Sequence, residues 1–342
     1  MEKLKIAIVT INQPSLDSAC KLYNYIKDDY IIDIYGKKEL NYDLPKLRIY
    51  NKLDDILPNA WETYDVIVCI LAMGAVIRKI APLLKDKSTD PAIIVINLAL
   101  DKIVPLLSGH IGGANQFATA LTKKLPQCIN FISTATDQTN TLAFDNLAVS
   151  NNWKIDNLKQ LANISNRLLN KKEVKVYTTN TIFDTITLKK NLILIEDKNL
   201  IDENTVVIDS LLQTNNLALR PKISLGIGCN RDTSYEDIQK AFELFLEKFN
   251  LTKDAIKDIA SFEAKKDEIG LLEFVKQNNF DIIFYNKDDI NKLENEFSSS
   301  ASTKFFGLKG VAEPSSILNS TYKELIIKKQ VYFKSITISG AI

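Results

Sequence analysis

Two hydrophobic periods alternate along the first third of the chain. Lys5–Ile11 is a β-branched run, and Ser15–Lys27 then places Leu16, Ala19, Cys20, Tyr23 and Ile26 at helical spacing, with Ser15 as the expected N-cap. Tyr30–Tyr35 reads as a second strand. Asp65–Leu71 is apolar almost throughout, as in a strand covered on both faces, and Val76–Leu84 looks helical. Ala92–Asn97 and Ile103–Leu107 read as strands, His110–Leu125 as a helix and Cys128–Ser133 as a closing strand. Strands alternating with helices predict an α/β fold with a largely parallel sheet.

Past Asp137 the texture changes. Residues 138–221 are rich in Asn, Lys, Thr and Leu, with a helical stretch over Asn157–Leu169, short strands at Val174–Tyr177 and Leu192–Ile195, and a linker-like stretch over Ser210–Lys222. A new α/β unit begins at Ile223. It contains a helix over Ser234–Phe249 that opens on a capping-box-like Ser234 and Asp237, and another over Asp267–Gln277. Its strands are expected at Ile256–Phe262, Phe280–Tyr285, Leu325–Ile327 and Ser335–Ser339. The expected architecture is therefore two α/β lobes with largely parallel sheets, 1–140 and 222–342, joined by a smaller middle region, 141–221.

Charge and composition narrow the classes of function. Lys and Arg total 43 against 42 Asp and Glu, so no basic surplus points to nucleic acid. Cys20, Cys69, Cys128 and Cys229 lie far apart and the chain has a single histidine, which argues against a Cys/His zinc site and for buried free thiols in a reducing compartment. The N-terminus runs directly into a short strand without signal-peptide features, and no apolar stretch approaches the ~20 residues that span a bilayer. A cytoplasmic protein with no membrane contact and no metal of its own is the expectation.

Candidate chemistry concentrates in six short segments at expected strand ends, where open parallel sheets hold ligands. The most informative is Ser108-Gly109-His110-Ile111-Gly112-Gly113-Ala114-Asn115. Its glycines permit a tight turn, a helix starting there would point free N–H groups outward, and the chain's one near-neutral titrating side chain stands in it. The others are Met73–Arg78 with Gly74 and Arg78, Ser133–Asp137 with Thr134 and Asp137, Gly226–Arg231 with Gly226, Gly228 and Arg231, Ala264–Gly270 with Lys265, and Gly310–Pro314 with Glu313. Only five arginines occur, and two of them, Arg78 and Arg231, fall in these segments, which suggests a polyanionic ligand. Gly226-Ile227-Gly228 is a weak dinucleotide fingerprint, because Arg231 stands where its third glycine belongs. Walker A and Gly-x-Ser-x-Gly patterns are absent from the sequence.

Read in order, MGAVIRKIAPLLKDKSTDPA (Met73–Ala92), LLSGHIGGAN (Leu106–Asn115), STATD (Ser133–Asp137), LGIGCNRDTS (Leu225–Ser234), KKDEIGLLEF (Lys265–Phe274) and GVAEPSSIL (Gly310–Leu318) resemble the CbiG family of anaerobic cobalamin biosynthesis. The resemblance covers the first and last thirds and is weak across 138–221. Ala312 departs from the cysteine found in many members, which argues against an essential thiol there, and Ser298–Phe306 is degenerate. The resemblance implies cobalt-precorrin-5A hydrolase activity: a δ-lactone between the A-ring acetate and C20 of the macrocycle is opened, and acetaldehyde leaves to give cobalt-precorrin-5B. It also implies a CobE-like C-terminal domain, no cofactor beyond the cobalt that the substrate carries, and transient contact with other enzymes of the pathway. A non-catalytic corrinoid-binding or handover protein is the alternative.

On this reading His110 is the general base, an axial ligand to the substrate's cobalt, or a carboxylate binder, with the Ile111–Gly113 amides open to an oxyanion. Asp137 and Glu313 are second-choice acid–base groups. Gly74, Arg78, Ser108, Gly109, Gly112, Gly113, Asn115, Thr134, Gly226, Gly228, Arg231 and Lys265 are the expected substrate-binding residues.

Overall fold

A computed structural model describes residues 3–38, 47–86, 89–133, 139, 141–294, 297 and 307–342. Its contacts divide the chain into Met1–Val149 and Ser150–Ile342. Residues 141–149, expected with the middle region, thus group with the first unit.

The first unit is a seven-stranded sheet with the order β3-β2-β1-β4-β5-β6-β7. Its strands are β1 (Lys5–Thr10), β2 (Ile31–Lys37), β3 (Leu47–Tyr50), β4 (Val66–Ile70), β5 (Ala92–Ile96), β6 (Lys102–Leu107) and β7 (Ile129–Asn130). Every residue of β4 and β5 is buried, as their unbroken apolar runs require. Successive residues of β1 serve opposite faces. Ile6 and Ile8 pack with Leu16 and Leu22 of α1 (Gln13–Ile26) and with Phe117 and Leu121 of α4 (Ala114–Lys124). Ala7 and Val9 pack with Trp61 of α2 (Leu53–Thr63) and Val76 and Ile80 of α3 (Met73–Ile80). Helix α5 (Phe144–Ser150) follows the sheet. The α1 N-cap is Asn12 rather than Ser15, with Ser15 completing the capping box three residues on.

One pairing departs from the parallel pattern in a way that decides where the site lies, reversing β6 and with it β7. β6 runs antiparallel to β5, with Ile103 opposite Ile96 and Leu107 opposite Ile93. The two are joined by only Asn97–Asp101, too short for a parallel crossover. Asn97 closes that hairpin by accepting from the Asp101 and Lys102 amides.

The second unit holds two five-stranded sheets. The first has the order β10-β9-β11-β12-β8, built from β8 (Lys154–Asp156), β9 (Val174–Tyr177), β10 (Leu192–Ile195), β11 (Val206–Ile208) and β12 (Ala218–Arg220), with α6 (Leu161–Leu169) and α7 (Asn180–Thr185). The stretch read as a linker therefore contains an internal strand. Arg220 pairs with Asp156 at 2.9 Å and donates to the Asp209 and Leu212 carbonyls, each at 2.7 Å.

The last sheet has the order β15-β14-β13-β17-β16, from β13 (Ile223–Cys229), β14 (Ile256–Phe262), β15 (Ile282–Tyr285), β16 (Leu325–Tyr332) and β17 (Ile336–Ala341). β13, β14 and β15 are parallel, and β17 and β16 close the sheet antiparallel. Helices α8 (Tyr235–Phe249), α9 (Ile269–Asn278), α10 (Lys287–Asn291) and α11 (Ala312–Asn319) complete the unit. Among the described residues no helix is long and apolar enough to cross a membrane.

Candidate active site

The turn after β6 is held by contacts that only its residue types allow. Ser108 adopts φ 56° and donates from Oγ to the Asp90 carbonyl at 2.9 Å. A Cβ on Gly112 would lie 2.4 Å from that of Ser108, and Gly113 at φ +79° caps α4. The Asn115 amide group packs against Gly109, where a Cβ would meet its Oδ1 at 2.9 Å. Helix α4 begins at Ala114, four residues later than expected, because this turn occupies the interval.

The first amides of α4 are not free. Ala114 donates to the Ser108 carbonyl at 3.1 Å, Asn115 to Gly109 at 2.9 Å, and Gly113 to His110 at 2.9 Å. The expectation of an open helix terminus is corrected accordingly: the Gly113 amide is committed inside the turn, so an oxyanion would have to use Ile111 and Gly112.

His110 has a partner that the sequence did not suggest. Its Nδ1 lies 2.9 Å from Oδ2 of Asp145, in the first turn of α5, and both side chains are 11% exposed. Oδ1 of Asp145 accepts from the Asn146 amide at 3.1 Å. A carboxylate is an acceptor only, so the proton between the two belongs to Nδ1, and a neutral ring then carries its lone pair on Nε2. Asp145 sits in the Asn/Thr/Leu-rich texture past Asp137. Its one sequence signal is an acid embedded in the apolar run Leu142-Ala143-Phe144, all buried here. A groove of about 500 Å³ runs along α4, lined by Asn115, Gln116, Thr119, Ala120, Lys123, Lys124, Ile132 and Asn146. Thr134 and Asp137 lie outside the described residues.

Gly74 and Arg78 are not part of this site. They follow β4, whose C-terminal end is the opposite edge of the sheet from the turn after antiparallel β6. Both are exposed, and the Arg78 guanidinium donates to the Gly74 carbonyl at 3.1 Å.

The C-terminal segments do meet, but as structure. An added Cβ on Gly226 would fall 1.8 Å from the Ala312 carbonyl oxygen, and one on Gly228 2.7 Å from Oγ1 of Thr337. These glycines admit α11 and β17 against β13 rather than a macrocycle. Glu313 is buried and accepts from the Lys329 amide at 2.9 Å, where the β16–β17 register shifts. Arg231 pairs with Asp267 at 2.6 Å and Glu268 at 3.0 Å, and Lys265 pairs with Glu268 at 3.0 Å.

Buried Glu268, within the Ala264–Gly270 segment but not among the expected binding residues, is the hub of this cluster and also accepts from the Asp232 amide at 3.1 Å. The Arg231 guanidinium holds the Asp267 carboxyl below the usual carboxylate range. The adjoining hollow, about 430 Å³, is lined by Arg231 against Asp232, Glu236, Asp267, Glu268 and Glu273, a negative balance that repels a polycarboxylate. Arg231 and Lys265 are thus already neutralised by their own chain. No cluster of three or more His, Cys, Asp or Glu suited to a metal occurs among the described residues. Burial pushes the Cys229 thiol up to about 11 and Cys69 up to about 12.

These features define a multi-sheet α/β protein whose one carboxylate-paired histidine sits in a glycine-shaped turn at a sheet edge. Three models of one family match successive stretches: cobalamin synthesis G N-terminal over 55–137, cobalamin biosynthesis central region over 142–221, and cobalamin synthesis G C-terminus over 223–341. The chain belongs to this CbiG family. It is 29% identical over 310 residues to the cobalt-precorrin-5A hydrolase of Priestia megaterium, covering 84% of this chain and 81% of that protein. It is also 29% identical over 277 residues to the cobalt-precorrin-5A hydrolase of Salmonella typhimurium strain LT2, covering 76% and 78%. A cobalamin biosynthesis protein G homolog from Sulfolobus solfataricus aligns over 99% of this chain and 97% of its own, with 23% identity and a TM-score of 0.41.

Proposed function

We propose that this protein is a cobalt-precorrin-5A hydrolase of anaerobic cobalamin biosynthesis, with His110 as the general base. The observation that carries the assignment of the base is the 2.9 Å contact between Nδ1 of His110 and Asp145. With Nδ1 donating to the carboxylate, Nε2 of the neutral ring takes a proton from water as it attacks the δ-lactone carbonyl. The carbonyl C–O bond to the C20 side breaks, leaving a free A-ring acetate and a hydroxyl on the two-carbon fragment. The protonated ring gives its proton to that departing oxygen. Nε2, neutral again, removes the hydroxyl proton as the bond between C20 and the macrocycle breaks, its pair passing into the macrocycle and the C=O of acetaldehyde forming. The Ile111 and Gly112 amides of the same turn are the donors this proposal assigns to developing oxyanion charge.

The cobalt belongs to the substrate, and the proposal includes no resident cofactor. It also places the protein in the cytoplasm, in transient contact with the pathway enzymes that supply and take up labile corrinoids. Incubation with cobalt-precorrin-5A and trapping of the released aldehyde tests the assignment. Wild type should release acetaldehyde and His110→Ala should lose at least about 100-fold in single turnover. Binding of the corrinoid with no aldehyde from wild type would make the protein a carrier instead.

A further inference from the structure

His110 and Asp145 come from different parts of the chain's family pattern. His110 lies within the stretch matched by the N-terminal model, and Asp145 within the stretch matched by the central-region model. Both nevertheless belong to one contact unit, Met1–Val149. The acid is buried, as are Leu142, Ala143, Phe144 and Ala148 around it. In such surroundings a hydrogen bond to a carboxylate is stronger than in water, and an isolated buried charge would be costly.

We propose that Asp145 is a positioning residue that holds His110 as its Nδ1–H tautomer, so that the lone pair needed for proton removal stands on Nε2. This rests on the reading of His110 as the base. The two carboxylate oxygens have separate tasks. Oδ1 accepts from the Asn146 amide at 3.1 Å, which sets the plane of the group, and Oδ2 faces Nδ1 at 2.9 Å. Asp145→Asn is nearly isosteric, but its amide would keep the oxygen on the Asn146 N–H and turn its NH2 toward Nδ1. The ring nitrogen there would then have to accept, and the proton would move to Nε2. The base would be present, correctly placed and in the wrong tautomer.

Because His110 is the only histidine in the chain, ¹⁵N-histidine labelling of the whole protein gives one imidazole to observe. In alkaline buffer, wild type should show protonation at Nδ1, Asp145→Asn protonation at Nε2, and Asp145→Ala a mixture. In parallel, Asp145→Asn should lower kcat for acetaldehyde release about 100-fold while KM stays within about threefold. A wild-type ring protonated at Nε2, or an unchanged tautomer in Asp145→Asn, overturns the proposal whatever the activity. A switched tautomer with undiminished acetaldehyde release supports Asp145 as the holder of the ring and instead removes His110 as the base.

Discussion

Arg78 and His110 stand at opposite edges of one sheet. β4 and β5 are parallel, with Val66 opposite Ala92, so the segment bearing Arg78 leaves the edge where these strands end. β6 returns antiparallel to Leu107 opposite Ile93, so the turn bearing His110 leaves the edge where they begin. The five residues of β5 separate the two edges by roughly 15 Å at the usual strand rise. Arg78 is therefore no partner of His110 in gripping the reacting part of a substrate. Arg78→Ala is expected to leave kcat/KM for acetaldehyde release within about threefold, below ~1 kcal/mol of transition-state binding. A tenfold rise in KM would place a carboxylate arm of the substrate on that far edge.

Glu313 illustrates how burial reassigns a candidate. Its carboxylate accepts from the Lys329 amide where the pairing of β16 with β17 slips, so it serves the sheet as a structural acceptor. In Glu313→Gln the amide oxygen can keep that bond. Stability to urea should then fall by no more than about 1 kcal/mol, and acetaldehyde release should be unchanged. Loss of turnover without loss of stability would return Glu313 to the acid–base candidates.

Gly226 has no room for any side chain. The nearest atom to an added Cβ is the Ala312 carbonyl oxygen at 1.8 Å, followed by the Ser316 amide nitrogen at 2.8 Å, both backbone of α11. Gly226→Ala must displace the helix from the sheet, at a cost of about 3 kcal/mol or more. Urea unfolding followed by circular dichroism should show this as a lowered midpoint. A wild-type midpoint would mean that α11 can slide on β13.

Much of the fold was legible because the buried strands advertise themselves. β9, β10 and β14 fall on the expected residues, and β1, β4 and β5 within one residue of them at either end. The antiparallel turn of β6 was also readable in principle, since five residues between two apolar runs leave no room for a crossover. The site was legible only in part. His110 and its glycines stood out by residue type, but Asp145 does not, because its pairing depends on a fold that returns α5 to the turn 35 residues away. The motif glycines on β13 misled for a related reason: close approach of backbone to a helix and close approach to a ligand leave the same mark in sequence. Likewise Arg231 and Lys265 look like anion binders until Asp267 and Glu268 are seen beside them.

The buried thiols make the fold sensitive to alkali. Burial raises Cys69 from 9.0 to about 12 and Cys229 from 9.0 to about 11, and it raises Tyr50 from 10.0 to about 12. Above about pH 9 the unfolded chain loses thiol protons that the folded chain retains, so the native state binds more protons and its stability falls as pH rises. Each thiol contributes up to about 1.4 kcal/mol per pH unit until its folded value is reached. Below pH 9 both states keep the protons and this term is flat. Urea unfolding under reducing conditions should therefore give nearly constant stability between about pH 7 and pH 8.5, then a fall of about 2 kcal/mol or more by about pH 10.5. Cys69→Ala, whatever it costs at neutral pH, should make that alkaline fall shallower. An equally steep fall in the variant would show that the Cys69 proton plays no part in it.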